Sequence, residues 1–394
     1  MLTSLALILL CGMVLGSLFD KLRLPSLVGM IVTGVILGPY ALNLLDDSIL
    51  MISPDLRQLA LIIILTRAGL SLDLDDLKKV GRPALLMCFV PACFEIAGIV
   101  LLAPPLLGVS YTEAAVMGAV VAAVSPAVIV PRMLRLMEEG YGTARSIPQL
   151  ILAGASVDDI FVIVLFASFV QLEQGQAVSL GQLASIPISI ALGLAGGIIC
   201  GFVLSRLFAE LHMRDSVKVV ILLSVSFLLI ALEHAVAHVV AFSGLLAVMA
   251  ASAAVLQQTP AVAKRLSAKF SKLWVGAEII LFVLVGATVD IRYAAAAGGA
   301  AALVIVGALV LRMLGVLVCV VKTRLVWKER VFCMLAYLPK ATVQAAIGAI
   351  PLTMGLACGQ TVLTVAVLAI VITAPLGAFA IDHTYRRLLT REQG

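Results

Sequence analysis

Long apolar runs recur along the whole chain, and they restrict its fold more than any other feature. Of its 394 residues, 62% are hydrophobic and only 12% are charged. A membrane-crossing helix needs about 20 apolar residues, whereas membrane β-strands of about ten residues alternate in polarity. The runs here are continuous and do not alternate. The sequence therefore predicts an all-α polytopic membrane protein and excludes a β-barrel.

Charged and Gly/Pro-containing breaks divide the chain into thirteen predicted transmembrane helices. They cover residues 2–18, 25–40, 58–72, 83–105, 113–131, 146–172, 183–205, 217–232, 236–256, 273–289, 296–321, 331–353 and 360–381. Most of the 27 lysines and arginines fall in odd-numbered connections and in the C-terminal tail. Cytoplasmic connections carry such an excess. We therefore predict an extracellular N-terminus, a cytoplasmic C-terminus and a multi-pass protein of the cell inner (cytoplasmic) membrane.

The remaining composition gives no sign of a cofactor or a nucleic-acid partner. The net charge of +5 follows from the cytoplasmic connections. The seven cysteines are scattered in apolar segments without a CxxC pair, which indicates small buried side chains. His234 and His238 are spaced for one helix face, but no third ligand lies near them in the sequence, so we interpret them as part of a helix end.

An internal repeat relates the two halves of the chain. Residues 62–73 and 279–290 match at small and acidic positions, including Asp73 and Asp290, with an offset of 217 residues. This offset crosses an odd number of predicted spans, so the two copies have opposite orientations, as in many carriers. We predict inverted-topology repeats over residues 1–172 and 217–381.

The same offset aligns two isolated charges. Glu95 is the only charge in the middle of the fourth span, and Arg312 is the only one in the middle of the eleventh. Opposite charges at equivalent depths predict a buried structural ion pair. The alternative is that each side chain reaches the membrane surface or pairs elsewhere. In a buried pair, removal of one partner costs about 3–5 kcal/mol.

Central prolines mark the next span of each repeat. Pro126 follows Ser125 in the fifth span, and Pro339 precedes Lys340 and Thr342 in the twelfth. Proline removes a backbone donor and strains the preceding turn, so both helices are predicted to be interrupted near mid-membrane beside a cavity. Interrupted helices direct backbone dipoles at transported ions. Lys340 is predicted to compensate the negative helix ends that meet there.

Two adjacent aspartates, Asp158 and Asp159, lie in the middle of the sixth span. An ionised carboxylate at this depth costs about 3 kcal/mol on insertion scales, so the pair indicates a function. Together with Ser125, Ser156 and backbone carbonyls, it offers the oxygen ligands that suit a small monovalent cation. Because the aspartates are expected to be free of Arg312 and Lys340, they could bind either a cation or a proton. Competition between the two predicts cation/proton exchange.

Other functions fit the sequence less well. An intramembrane aspartyl protease needs its two aspartates on different helices, and here they are adjacent. A channel needs only the cavity. A transport rate that saturates, together with exchange stimulated by an ion gradient from the opposite side of the membrane, would distinguish a carrier from a channel. A sodium-coupled organic-anion symporter needs a more polar cavity. A scaffold that does not transport has no need of the carboxylates.

Three motifs carry a family resemblance: "VSPAVIVPRML", "GASVDDI" and "LPKATVQAAIG". They resemble the cation–proton antiporter superfamily, within it the NHA-type sodium/proton exchangers, of which the chain would be a bacterial homologue. The resemblance extends over essentially all predicted spans. It implies the Na+/H+ antiporter fold with crossed interrupted helices. It further implies that the protein is a secondary active antiporter and not an enzyme. It also implies exchange of Na+ or Li+ for H+ on Asp158 and Asp159, with Asp159 favoured for the ion; K+/H+ antiport is the alternative.

The resemblance also implies an assembly and a mechanism. We expect a homodimer in membrane lipid, with core spans 58–172 and 273–381 moving against dimerisation spans 1–40 and 183–256 in elevator fashion. Electrogenic relatives have a lysine where this chain has Arg312, and the NHA-type exchangers pair this position with the glutamate matching Glu95. This difference favours one-for-one exchange, whereas the aspartate pair by analogy favours electrogenic exchange.

Overall fold

The computed structural model describes residues 1–22, 24–71, 81–174, 180–211, 213–236, 240 and 242–392, and it is helical almost throughout. The predicted all-α class is confirmed. Eight helical segments in the described part of the chain are long and apolar enough to cross a membrane. Asp73 and His238 lie outside the described residues, as do the side chains of Ser156 and His234.

The helices below are those of the described residues. In order they are α1 (Leu2–Lys21), α2 (Ser26–Leu37), α3 (Asp47–Met51), α4 (Ser53–Gly69), α5 (Arg82–Met87), α6 (Val90–Leu107), α7 (Tyr111–Ala122), α8 (Pro126–Glu138), α9 (Ile147–Glu173), α10 (Leu180–Glu210), α11 (Asp215–Val236), α12 (Gly244–Gln258), α13 (Pro260–Ala287), α14 (Ile291–Val320), α15 (Trp327–Ala336), α16 (Thr342–Ile347), α17 (Ile350–Thr353) and α18 (Gly359–Leu388).

The chain divides into two compact units. The first comprises Met1–Pro54, Leu74–Gln174 and Ile279–Gly394, and the second comprises Asp55–Asp73 and Gly175–Glu278. The first unit contains all the candidate site residues named above. The predicted division into core and dimerisation spans stays a prediction.

In the first unit, α6 and α14 pack along each other. Small residues allow the close approach: a Cβ atom at Gly98 would lie 3.1 Å from the Cα of Ala308, and one at Gly315 would lie 2.9 Å from the Cα of Pro91. Close backbone packing of this kind stabilises helix pairs in lipid, where the hydrophobic effect between helices is absent. The packing places Glu95 of α6 beside Arg312 of α14.

Two helices in the first unit are interrupted where the central prolines predict a break. One break separates α7 from α8 and the other separates α15 from α16. Pro126 opens α8, a position at which its missing N–H is not needed. The two breaks meet, because the backbone N–H of Ser125 donates to the carbonyl of Pro339 at 2.8 Å. Gly377 of α18 leaves room for the Pro339 ring, since a Cβ there would lie 2.6 Å from Cδ.

Three predicted spans differ in detail from the helices of the structure. The fourth span is split between Met87 and Val90, and the twelfth is split again between Ile347 and Ile350. Pro91 and Pro351 account for both splits, because a proline ring clashes with the carbonyl four residues earlier. The connection predicted before residue 273 is largely helical, since α13 begins at Pro260. Its lysines and arginines extend the helix beyond the apolar run.

In the second unit, α10 and α12 pack through a row of small residues. Gly193, Gly197 and Gly201 recur every fourth residue on α10, and a Cβ atom at any of them would collide with a carbonyl oxygen of α12 or the residue preceding it. The oxygens belong to Ser243, Ala247 and Ala251. This four-residue spacing of small side chains is typical of close helix pairs in membranes.

Candidate functional site

The candidate site is centred on Arg312, which is fully buried in α14. Its Nη1 donates to Oε2 of Glu95 at 2.7 Å and also to the carbonyl of Ala122. Its Nη2 donates to Oδ2 of Asp158 at 3.0 Å, and its Nε donates to the carbonyl of Tyr337 at 2.8 Å. One guanidinium therefore joins α6, α9 and the ends of both interrupted helices.

The expectation that the aspartates are free of Arg312 is wrong for Asp158. A guanidinium carries five N–H donors in a planar fork, so one arm holds Glu95 while the other reaches Asp158. The Glu95–Arg312 contact exists, but it is part of a larger network and is not an isolated pair. Because Arg312 and Asp158 are both fully buried, solvent screens their attraction little.

Lys340 adds a second cation to the network. It lies in the break between α15 and α16, fully buried, with Nζ 2.5 Å from Oε2 of Glu95. Nζ also lies 3.3 Å from the carbonyl of Ala122, the last residue of α7. Lys340 is therefore positioned to neutralise the negative end of α7, as the sequence predicts, and it shares Glu95 with Arg312.

The two aspartates differ in their contacts. Oδ2 of Asp158 accepts hydrogen bonds from Arg312 and from the backbone N–H of Val124, the latter at 2.9 Å. Oδ1 of Asp158 and Oδ1 of Asp159 are buried and have no hydrogen-bond partner among the described residues. Asp159 is 6% exposed and makes no ion pair within the described chain. One carboxylate oxygen of Asp158 is thus hydrogen-bonded and the other is free, whereas Asp159 has a free oxygen and no ion-pair partner among the described residues.

Two buried hydroxyls flank the interruptions. Ser125 and Thr342 are at most 1% exposed, and neither Oγ of Ser125 nor Oγ1 of Thr342 has a hydrogen-bond partner in the described part of the chain. Buried polar atoms normally find partners, so such oxygens mark a place where a ligand or water binds. In the sequence range that the structure describes, no group of three or more His, Cys, Asp or Glu residues is arranged to hold a metal ion.

With every side chain ionised, the charges of the site do not balance. Glu95, Asp158 and Asp159 carry three negative charges when ionised, and Arg312 and Lys340 carry two positive charges, which leaves a net charge of −1. All five side chains are buried. An unbalanced charge in a low-dielectric interior is costly, so this site favours one additional positive charge.

Tyr337 and Gln344 were not predicted as site residues. The ring of Tyr337 lies under the guanidinium of Arg312, 5.4 Å from ring centroid to Cζ, a cation–π arrangement. The side chain of Gln344 binds the end of α7. Both are polar residues within an apolar span, which is the sequence signal that could have identified them.

Gly154 is expected to be required for the packing of Tyr337 against α9. A Cβ atom there would collide with the Tyr337 hydroxyl and lie 2.8 Å from Cβ of Met87. We expect Gly154→Ala to lower the free energy of unfolding by about 1–3 kcal/mol, the usual cost of overpacking. Denaturation in detergent measures it.

A second substitution tests this contact. The Tyr337 hydroxyl has no hydrogen-bond partner among the described residues, so Tyr337→Phe alone is expected to cost nothing and to restore part of the stability of Gly154→Ala. The matched control is Gly276→Ala, since a Cβ at Gly276 meets nothing within 4 Å. Equal stability of Gly154→Ala and the control would contradict the contact.

A helical fold with apolar, membrane-spanning segments and a buried charge cluster where two helix breaks meet is typical of a membrane ion carrier. A family model described as "Sodium/hydrogen exchanger, transmembrane" matches residues 5–386. The chain is 32% identical over 405 residues to human sodium/hydrogen exchanger 9B2, covering 97% of this chain and 74% of that protein. It is 30% identical over 347 residues to human sodium/hydrogen exchanger 9B1, covering 85% and 67%. The chain belongs to the sodium/hydrogen exchanger family.

Solved structures support the same fold. The sodium proton antiporter MjNhaP1 from Methanocaldococcus jannaschii at pH 8 aligns with a TM-score of 0.85 over 98% of both chains, at 18% identity. The antiporter fold predicted from the three motifs is thereby confirmed, and so is the superfamily. Members of the family are transporters and not enzymes.

Proposed function

We propose that the protein is a secondary active antiporter that exchanges Na+ for H+ at Asp158 and Asp159. The observation that carries the proposal is the free buried oxygen on each aspartate, beside a cluster with one excess negative charge. The relatives named as sodium/hydrogen exchangers support Na+ as the cation. Glu95 also has a buried oxygen without a partner among the described residues, Oε1, but its Oε2 is bound by both Arg312 and Lys340.

The charges of the site explain why the two substrates exclude each other. With all groups ionised the site has a net charge of −1, and one Na+ or one proton neutralises it. A carboxylate oxygen that holds a proton no longer attracts Na+, and bound Na+ repels a proton. We infer that Asp159 takes the ion or the proton, because Asp158 already shares its charge with Arg312 at 3.0 Å.

The buried oxygens at the site without a partner among the described residues are the proposed ligands for Na+. The free Oδ1 atoms of Asp158 and Asp159, Oγ of Ser125 and Oγ1 of Thr342 supply four buried oxygens, which suit a hard monovalent cation. The backbone carbonyls at the breaks are less available, since those of Ala122 and Pro339 already accept hydrogen bonds. Li+ fits the same chemistry and is proposed as a second substrate.

Transport also requires alternating access, and here we adopt the mechanism that the family resemblance implies. Core spans 58–172 and 273–381 would move against dimerisation spans 1–40 and 183–256 in elevator fashion, within a homodimer of thirteen-span protomers in the inner membrane. The proposed orientation places the N-terminus outside and the C-terminus in the cytoplasm, which the distribution of lysine and arginine supports.

A liposome assay tests the exchange. In proteoliposomes with an imposed pH gradient, addition of Na+ or Li+ is expected to collapse the gradient, and addition of K+ or choline is expected to leave it. Collapse by K+ alone would indicate K+/H+ antiport instead. Collapse that requires both Na+ and an organic anion would indicate symport.

Exchange is expected to be electroneutral. Because Asp158 is paired with Arg312 at 3.0 Å, we assign the exchanged ion to Asp159 alone, so that one proton and one Na+ alternate there and the charge moved per cycle is zero. Proteoliposomes in which K+ and valinomycin clamp the membrane potential should therefore exchange at the same rate at 0 mV and at an inside-negative potential. A rate that changes with the clamped potential would show a different stoichiometry and would contradict this charge balance.

A further inference from the structure

The buried end of α7 requires hydrogen-bond donors from elsewhere in the protein. A helix leaves its last carbonyl groups without a partner inside the helix, and here the helix ends in the interior, with residues 119–124 all 0% exposed. Water therefore does not replace the missing donors from the protein surface. The donors that the structure places there come from α14 and from the second interrupted helix.

Gln344 of α16 supplies the neutral donors. Its Nε2 lies 2.9 Å from the carbonyl oxygen of Val121 and 2.7 Å from that of Ala123, and the side chain is 1% exposed. An amide nitrogen carries two hydrogens, so both are used on the end of α7. The carbonyl of Ala122, between these two, accepts from the cations Arg312 and Lys340 instead.

The backbone segment that Gln344 contacts, residues 121–124, also binds an aspartate. The next backbone N–H, that of Val124, donates to Oδ2 of Asp158 at 2.9 Å. A shift of residues 121–124 would move this donor away from the carboxylate. Gln344 therefore acts on Asp158 through one short backbone segment, without touching the aspartate itself.

Gln344 differs from the other donors in carrying no charge. Arg312 and Lys340 bind carboxylates as well as the Ala122 carbonyl, so their contacts respond to the charge on those carboxylates. The amide contacts do not. We infer that Gln344 is a positioning residue of the exchange site, a neutral clamp that keeps the end of α7 and the Val124–Asp158 hydrogen bond in place while a cation or a proton occupies the site. This inference rests on the proposed function.

Two substitutions of similar size separate the donor from the shape of the side chain. Gln344→Met removes both donors, and it is expected to raise the Na+ KM about tenfold, the loss expected when buried carbonyls lack donors. Gln344→Glu removes them only while it is ionised, because a protonated carboxyl regains one O–H donor. The ratio of its KM to that of the wild type is therefore expected to fall as the pH is lowered, whereas the ratio for Gln344→Met stays constant.

The experiment combines Na+-dependent exchange in proteoliposomes from pH 6 to 9 with Na+-dependent thermal stabilisation in detergent. Gln360→Glu is the matched control, because Gln360 lies in the first turn of α18 and its Nε2 has no hydrogen-bond partner among the described residues. Wild-type KM for this control and the two patterns above for Gln344 would support the clamp. If Gln344→Glu does not fold, the test rests on Gln344→Met alone: a raised Na+ KM supports the inference, and a wild-type KM contradicts it.

Two results would overturn the inference. One is a wild-type KM and pH profile in both Gln344 variants. The other is an equal loss of maximal rate in both variants at every pH, with the Na+ midpoint of stabilisation unchanged, since that pattern belongs to a merely structural role. Absence of Na+ stabilisation and exchange in the wild type would instead show that the proposed function fails, and the inference would fail with it.

Discussion

Replacement of Asp159 by asparagine is expected to reduce Na+/H+ exchange in proteoliposomes to the level of protein-free vesicles. Asparagine keeps the size of the side chain, but it neither carries the negative charge that attracts Na+ nor binds a proton at neutral pH. Since Asp159 makes no ion pair with described residues, its charge is not needed to balance another side chain. The protein without Na+ is therefore expected to be at least as stable as the wild type, and its stabilisation by Na+ should be lost.

Asp158→Asn gives the informative comparison. Its carboxylate binds Arg312 and the N–H of Val124, so this variant should lose exchange and also unfold at a lower temperature. Asp20→Asn serves as a control, because Asp20 is exposed at the end of α1. The assignment would be wrong if Asp159→Asn exchanged Na+ at the wild-type rate, or if both variants showed the same loss of stability.

The second large effect is expected at Arg312. Arg312→Ala removes the partner of two buried carboxylates, Glu95 and Asp158, and leaves Lys340 alone to balance them. Breaking a buried ion pair from one side costs about 3–5 kcal/mol, so the free energy of unfolding in detergent should fall by that amount. The matched control is Arg265→Ala, whose side chain is 53% exposed beside Asp215. Such a surface pair contributes about 0–1 kcal/mol.

A charge swap at the same pair is expected not to rescue the protein. In Glu95→Arg combined with Arg312→Glu, the new arginine would face Lys340, which lies 2.5 Å from Glu95. The new glutamate would face Asp158, which lies 3.0 Å from Arg312. Both contacts become repulsive. A swap more stable than either single reversal would show that Glu95 and Arg312 form an isolated pair and would contradict the network.

The sequence predicts the frame of the site well, because each of its signals is local or periodic. Apolar runs locate the helices, and the prolines locate the breaks before Pro126 and around Pro339. The offset of 217 residues points to Glu95 and Arg312, which form a hydrogen bond of 2.7 Å in the structure. None of these signals depends on how the helices cross.

The contacts within the site depend on that crossing and were harder to predict. Arg312 has more donors than Glu95 can use, and only the position of the α7 break shows that Asp158 and the Ala122 carbonyl receive the others. Gln344 stands in a motif quoted for its resemblance, but its partners lie more than two hundred residues away in the sequence. The breaks at Pro91 and Pro351 were missed because a proline near a helix start usually fits without interruption.

The central claim is that one Na+ and one proton compete for the same carboxylate site. Its most direct test is the KM for Na+ as a function of pH, measured in proteoliposomes with the membrane potential clamped at zero. For competition with one proton, the KM should rise by about tenfold for each unit that the pH is lowered through the acidic part of the range, while the maximal rate at saturating Na+ is unchanged. A KM that is independent of pH, with only the maximal rate changing, would contradict a shared site.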